Sequence, residues 1–174
     1  MTALPEELDY RDVAERGEVF EARLALAEVP RVAELACDPP AAGDPPAIHV
    51  RLQFFEDEQR WAHVSGRVEY AALVACDRCL APFNHQGGAD INSIIVASDE
   101  QAAGVPRQFE PTIAEGGKLD PRSLIGDEIL LALPQALHCD RSECRANYEK
   151  PDKPDEIDDG AQGEDRWRPF ANLR

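Results

Sequence analysis

Aromatic residues are scarce. Phe, Trp and Tyr make up 6% of a 174-residue chain that is 43% hydrophobic, and there is a single methionine. Any core must therefore rest mostly on Leu, Val, Ile and Ala. Positive charge is scarce as well: 18 Lys and Arg stand against 34 Asp and Glu, a formal net charge of −16. Broad binding to a phosphate backbone runs on Lys and Arg neutralising phosphates, so this balance argues against a general nucleic-acid binder. It favours basic protein partners or plain solubility. Long apolar runs are missing. The longest, 129–133 and 94–97, are core-sized and far short of the ~18 residues of a membrane span. Residues 1–12 are acidic and hold no apolar stretch of the kind a secretory signal needs, so a cytoplasmic, soluble protein is expected.

Cysteine is present in an odd number, five, without an export signal. A disulfide framework is then not expected; the thiols should be reduced, and metal ligation becomes the reading to test. The length suits one domain with appendages.

Punctuation divides the chain. Residues 38–46 are too rich in proline for a helix or inner strand and read as a loop. Residues 98–118 are polar, with prolines and glycines, and read as a long loop. Residues 151–165 are dominated by acids and should be disordered. The expected organisation is one α+β domain over 1–150, followed by an acidic flexible tail, 151–174, that carries Trp167 and Phe170 near its end.

Between the loops the hydrophobic period is mostly two. Ile48, Val50, Leu52 and Phe54 alternate with polar residues in 47–56, as do Val64, Val68, Tyr70, Ala72 and Val74 in 61–75. Phe20, Ala22, Leu24 and Leu26 do the same in 19–27, and 89–97 ends in a β-branched run. Strands with one buried face, as in an antiparallel sheet, follow from this pattern. Asp57-Glu58-Gln59-Arg60 fits a hairpin turn. Helices look fewer. Asp9 can cap 10–16 with Gly17 as its stop, and Pro30 can open a short helix over 31–36. The strongest helix runs over 121–133, with Asp120 as N-cap, Pro121 at its first position and Pro134 ending it. Ile125, Ile129, Ala132 and Leu133 form one apolar stripe, widened by Leu124 and Leu131. The expected fold is an antiparallel β-sheet or partial barrel packed by this main helix.

Cys76-Asp77-Arg78-Cys79 sits at a turn between two strands, where two thiolates can reach one ion. His138-Cys139 and Cys144 follow the main helix. Cys76, Cys79, Cys139 and Cys144, with His138 as a substitute, form a candidate structural zinc site. Cys79 and Cys139 lie much farther apart in sequence than the ~15–20 residues of a compact finger, so such a site would clip distant parts of one domain together. Two other readings stay open: small buried thiols beside a surface turn, and a redox C-x-x-C. The redox motif needs its first Cys at a helix N-terminus, whereas here a strand precedes it.

The run Cys76-Asp77-Arg78-Cys79-Leu80-Ala81-Pro82-Phe83 resembles the C-x-R-C-x-x-P-F signature of the YceD family, the large ribosomal RNA subunit accumulation proteins. Leu119-Asp120 followed by 124–134 is similar to that family's E-D-E-x-x-L-A-L-P helix. Arg168-Pro169-Phe170-Ala171-Asn172-Leu173 resembles its C-terminal N-P-F-x-x-L. Gly126 departs from the pattern where the family has an acid, Arg168 replaces an Asn, and Cys139 falls where a His is common. The resemblance implies a cytosolic bacterial or plastid factor for accumulation or processing of 23S ribosomal RNA.

Charge then suggests how an acidic chain could serve an RNA. It could bind a basic large-subunit ribosomal protein or a pre-ribosomal particle and act on the RNA indirectly. Asp127, Glu128, Arg78, Phe83, Trp167 and Phe170 are the partner-facing candidates. The rival is direct RNA contact through the polar strand face, with Arg51, Trp61, His63 and Arg67 as candidates for stacking and phosphate contact. Asp127 and Glu128 are not a catalytic pair, because helix neighbours diverge by about 100°. No nucleophile elbow, phosphate loop or H-E-x-x-H appears, and no enzymatic activity is expected.

Overall fold

A computed structural model describes residues 4–37 and 47–148. The tail residues 151–174, with Trp167 and Phe170, lie outside the described residues, as does the loop 38–46. The described residues up to Cys139 form one compact unit, and those from Asp140 on belong to a second.

The first unit opens with a two-residue strand β1 (Leu8–Asp9) and helix α1 (Tyr10–Arg16). Asp9 caps α1 by accepting from the N–H groups of Arg11 and Asp12, and Gly17 ends it in the left-handed region at φ 64°. That is the start and stop the sequence implies. Strand β2 (Val19–Ala25) leads through a 3-10 turn into a single-turn α2 (Pro30–Ala33), shorter than the 31–36 helix expected. Beyond α2 the chain turns and Ala36 bridges Val74.

Three long strands follow: β3 (Ala47–Glu56), β4 (Ala62–Ala75) and β5 (Pro82–Val96). The β3–β4 connection is the expected hairpin, in which Asp57 accepts from the N–H groups of Gln59 and Trp61.

The 98–118 segment departs from expectation. It holds α3 (Asp99–Ala102), β6 (Glu110–Ile113) and the start of β7 (Lys118–Leu119). β6 pairs with β5 in parallel, so the five-stranded sheet, ordered β2-β3-β4-β5-β6, is antiparallel except at this edge. A four-residue edge strand containing Pro111 has no period to reveal it, because an edge strand tolerates proline and need not alternate. β1 and β7 form a separate pair. The sheet stays open and does not close into a barrel.

One face of the sheet carries the core. Ile48, Leu52, Phe54, Val64 and Val68 are fully buried there, and Phe20 meets Phe54 edge-on at 5.7 Å. Helix α1 packs on β3 and β4, and α4 (Pro121–Ala132) packs on β5 and against α2. Asp120 accepts from Arg122 N–H at the start of α4, as its sequence predicts. Ile125 and Ile129 are fully buried, but Leu131, expected to widen the stripe, is 80% exposed.

Of the second unit, α5 (Ser142–Tyr148) is described. Cys144 on it is buried, and its N–H donates to Arg141 O at 3.1 Å.

Candidate metal centre

The two long strands β4 and β5 place the first thiols. Their connection is a tight turn in which Leu80 N–H donates to Cys76 O at 2.8 Å and Cys76 N–H donates to Ala81 O at 3.1 Å. The turn forces Leu80 to φ 57°, a left-handed conformation uncommon for a branched residue, and leaves it 78% exposed.

The segment after α4 is fastened to this turn by protein bonds alone. Asp77 N–H donates to Leu137 O at 2.8 Å, and Leu137 N–H donates back to the Asp77 carboxylate. This reciprocal clasp brings Cys139 to the C-x-x-C. Cys139 N–H donates to Cys76 Sγ at 3.4 Å, and the sulfurs of Cys79 and Cys139 stand 3.7 Å apart.

The Sγ atoms of Cys76, Cys79, Cys139 and Cys144 all lie within 4.8 Å of one another. Cys76, Cys139 and Cys144 are buried and Cys79 is exposed. None of the four is joined in a disulfide, which would need sulfurs about 2.05 Å apart. The thiol of Cys76 is lowered from 9.0 to about 5. The N–H of Cys139 is the first cause. Burial opposes it, and the N–H groups of Cys79 and Arg78 add to the lowering. Cys76 is therefore a thiolate at neutral pH, the form a metal takes. The geometry also suits zinc. Tetrahedral Zn–S bonds of roughly 2.3 Å put neighbouring sulfurs about 3.8 Å apart, close to the Cys79–Cys139 separation.

His138, the expected substitute ligand, is exposed and stands outside the cluster. Cys37 is also outside it, and its backbone N–H donates to Leu73 O at 2.7 Å.

The other candidate residues are distributed unevenly. Register aligns Glu21, Arg51, Arg67 and Asp90 in one row across β2, β3, β4 and β5, on the face turned from the core. Arg51 pairs with Glu21 at 3.2 Å, and Arg67 with Asp90 at 2.8 Å and Glu69 at 3.1 Å. His63 is a correction. Expected on the solvated face, it is 4% exposed. Phe55 stacks on it at 4.8 Å, Phe109 meets it edge-on at 5.0 Å, and its Nε2 lies 3.0 Å from Asp57. Phe109 comes from the segment read as loop, so no local pattern reports this burial. Trp61 is half-buried, and its N–H donates to Asp57.

Phe83 packs against the core instead of standing free, while Arg78 is exposed at the turn. Asp127 forms an ion pair with Arg31. Glu128 is half-buried, and its carboxyl is pushed up by that burial and by the Glu110 carboxylate. Sequence reasoning missed Ser93 and Glu110, which line a cleft beside Glu128. Among the described residues, Ser93 Oγ and His63 Nδ1 are the buried side-chain polar atoms without a hydrogen-bond partner.

Comparison with known proteins bears on the same region. The family described as Large ribosomal RNA subunit accumulation protein YceD matches residues 64–174, which include most of β4, all of β5 and α4, and the four clustered thiols. A Haemophilus influenzae protein named Large ribosomal RNA subunit accumulation protein YceD is 30% identical over 99 residues. The match covers 53% of this chain and 57% of that relative, so the chain spans little more than half of the relative's length. No solved structure matches. Among the described residues, no helix is long and apolar enough to cross a membrane.

Proposed function

This chain belongs to the YceD family of large ribosomal RNA subunit accumulation proteins, and from that premise we propose that it supports accumulation of 23S ribosomal RNA in the cytoplasm without catalysis, by binding a basic large-subunit ribosomal protein. The observation that carries the indirect route is the charge row on the open sheet face. Arg51 and Arg67, the cations best placed for RNA, are held by Glu21, Glu69 and Asp90. A phosphate would have to displace those carboxylates, against the field of a chain of charge −16. A basic protein meets the same field as an attraction.

The four thiolates hold a structural zinc ion in this reading. It would secure the β4–β5 turn to the chain that follows α4. Apparent zinc-binding energies of roughly 10–16 kcal/mol are known for finger peptides, so even a fraction would stiffen this corner. The low pKa of Cys76 then serves ligation. A thiol oxidoreductase finds no support, since Cys76 follows a strand and not a helix N-terminus.

One sample tests both parts. The full-length chain is recovered from cells at low and at high salt, its companions are identified by mass spectrometry, and its metal is measured by elemental analysis. Basic large-subunit proteins should accompany it at low salt and leave at high salt, with about one zinc per chain. Recovery of no basic ribosomal protein at low salt would remove the indirect route. A metal-free, fully folded chain would remove the zinc.

A further inference from the structure

The row that holds Phe54 and Val64 on the core face of the sheet continues through Ser93 to Glu110. It ends at the edge strand β6, beside α4. A cleft of about 760 Å³ opens there.

Three properties set this cleft apart. First, its acids are unmatched. Glu110, Glu115 and Glu128 line it, and none of the three is ion-paired among the described residues. The other charged residues of the lining are engaged: Asp127 with Arg31, Asp120 as the cap of α4, and Lys118 with Asp9 at 3.6 Å. Second, Ser93 lines the cleft at 1% exposure with a hydroxyl that has no hydrogen-bond partner. A buried polar group left so has lost its hydration without a replacement, a loss that an incoming donor would recover. Third, apolar side chains flank the acids. Leu131 is 80% and Ile113 42% exposed, on either side of the cleft.

Acids crowded together without a cation attract one, and the ionised form of Glu128 is already disfavoured by burial and by its neighbour Glu110. A lone metal ion would not use the leucine and isoleucine. A cationic side chain on an aliphatic stem, with an apolar residue next to it, would use all three features.

We propose that the cleft between β6 and α4 is the docking site for a segment of the basic partner protein, with a Lys or Arg head on Glu110, Glu128 and Ser93 and an apolar neighbour on Ile113 and Leu131. This rests on the indirect reading above and gives it an address. Asp127, bound to Arg31, is then not a primary contact.

The test uses the full-length chain and, as probe, the basic proteins extracted from purified large ribosomal subunits. Members that bind at low salt are identified and titrated singly. Glu110→Gln with Glu128→Gln, and separately Leu131→Ser, should each weaken binding about tenfold or more while the melting curve stays in place. Glu15→Gln with Glu58→Gln removes the same charge from exposed acids off the cleft and should cost less than threefold. Equal loss in that control overturns the docking site in favour of a diffuse charge effect. Unchanged affinity in the cleft variants overturns the site but leaves the indirect reading standing. No binding by the unmodified chain overturns both.

Discussion

The open face of the sheet and the cleft beside α4 hold similar residues in opposite states of balance. On the open face, the row Glu21, Arg51, Arg67, Asp90 sets the two arginines between two acids, so that each arginine has a carboxylate partner. In the cleft, Glu110, Glu115 and Glu128 face no unengaged cation among the described residues. The difference teaches that net charge alone does not locate an interaction surface in an acidic protein. The strands spend cations on neighbouring strands, because register fixes who faces whom across a sheet. A partner is better sought where a charge is left over, next to apolar surface.

Three changes would break or sharpen that contrast. The largest effect should come from Gly66 on β4, which is in register with the buried Leu52 and Ile91. A Cβ there would overlap the Arg51 carbonyl and press on Leu52. Gly66→Ala should cost roughly 1–3 kcal/mol or more, as overpacking does, read as a lower urea midpoint. It should disturb both surfaces together, since the β3–β4 ladder carries the charge row and begins the row that runs on through Ser93 to Glu110. An unchanged midpoint would mean that the strands can part at this point without loss.

Acidification should act on the two regions with opposite sign. Burial pushes the Asp57 carboxyl up, but the His63 hydrogen bond and the N–H groups of Trp61 and Gln59 outweigh it and hold the group below its usual 3.8. Its ionised form therefore contributes stability that is present above the unfolded value and lost as pH falls through the lowered folded value. Glu128 is raised above 4.5 by burial first and Glu110 second. There the folded state takes up a proton more readily than the unfolded chain. Stability from this group increases as pH falls through the raised value, and the gain is complete below the unfolded one. In urea midpoints followed downward from neutral pH, Glu128→Gln should remove the gain above 4.5 and spare the loss below 3.8. Asp57→Asn should do the reverse. Identical profiles for both variants would end the contrast.

Arg67→Ala should have the smallest effect. Its pairs are exposed, and exposed pairs add little to stability. Melting should stay unchanged within error, and filter-binding retention of ribosomal RNA should not fall. A clear fall would restore the open face as an RNA surface.

Much of this was legible in the residues. The Asp9 and Asp120 caps, the Gly17 stop, and the alternation in β3 and β4 predict elements that stand where expected, since each depends on contacts a few residues long. The C-x-x-C at a strand turn was legible for the same reason. The convergence of Cys139 was foreseen by residue type alone; the clasp between Asp77 and Leu137 that delivers it carries no sequence signature. The edge strand β6 was not legible, being short, polar and interrupted by Pro111. Nor was the exposure of Leu131, because the helix pattern cannot tell where the sheet beneath it ends.

By itself the chain determined its strand faces, its helix ends, its charge and the chemistry of its thiols, all of which follow from local stereochemistry and composition. Tertiary structure alone decided that Phe109 would bury His63, that four distant sulfurs would meet, and that Ser93 and Glu110 would fall beside Glu128. Those outcomes depend on which remote segments pack together, and a side chain's surroundings at that range are set by the fold of the whole unit, not by its neighbours along the backbone.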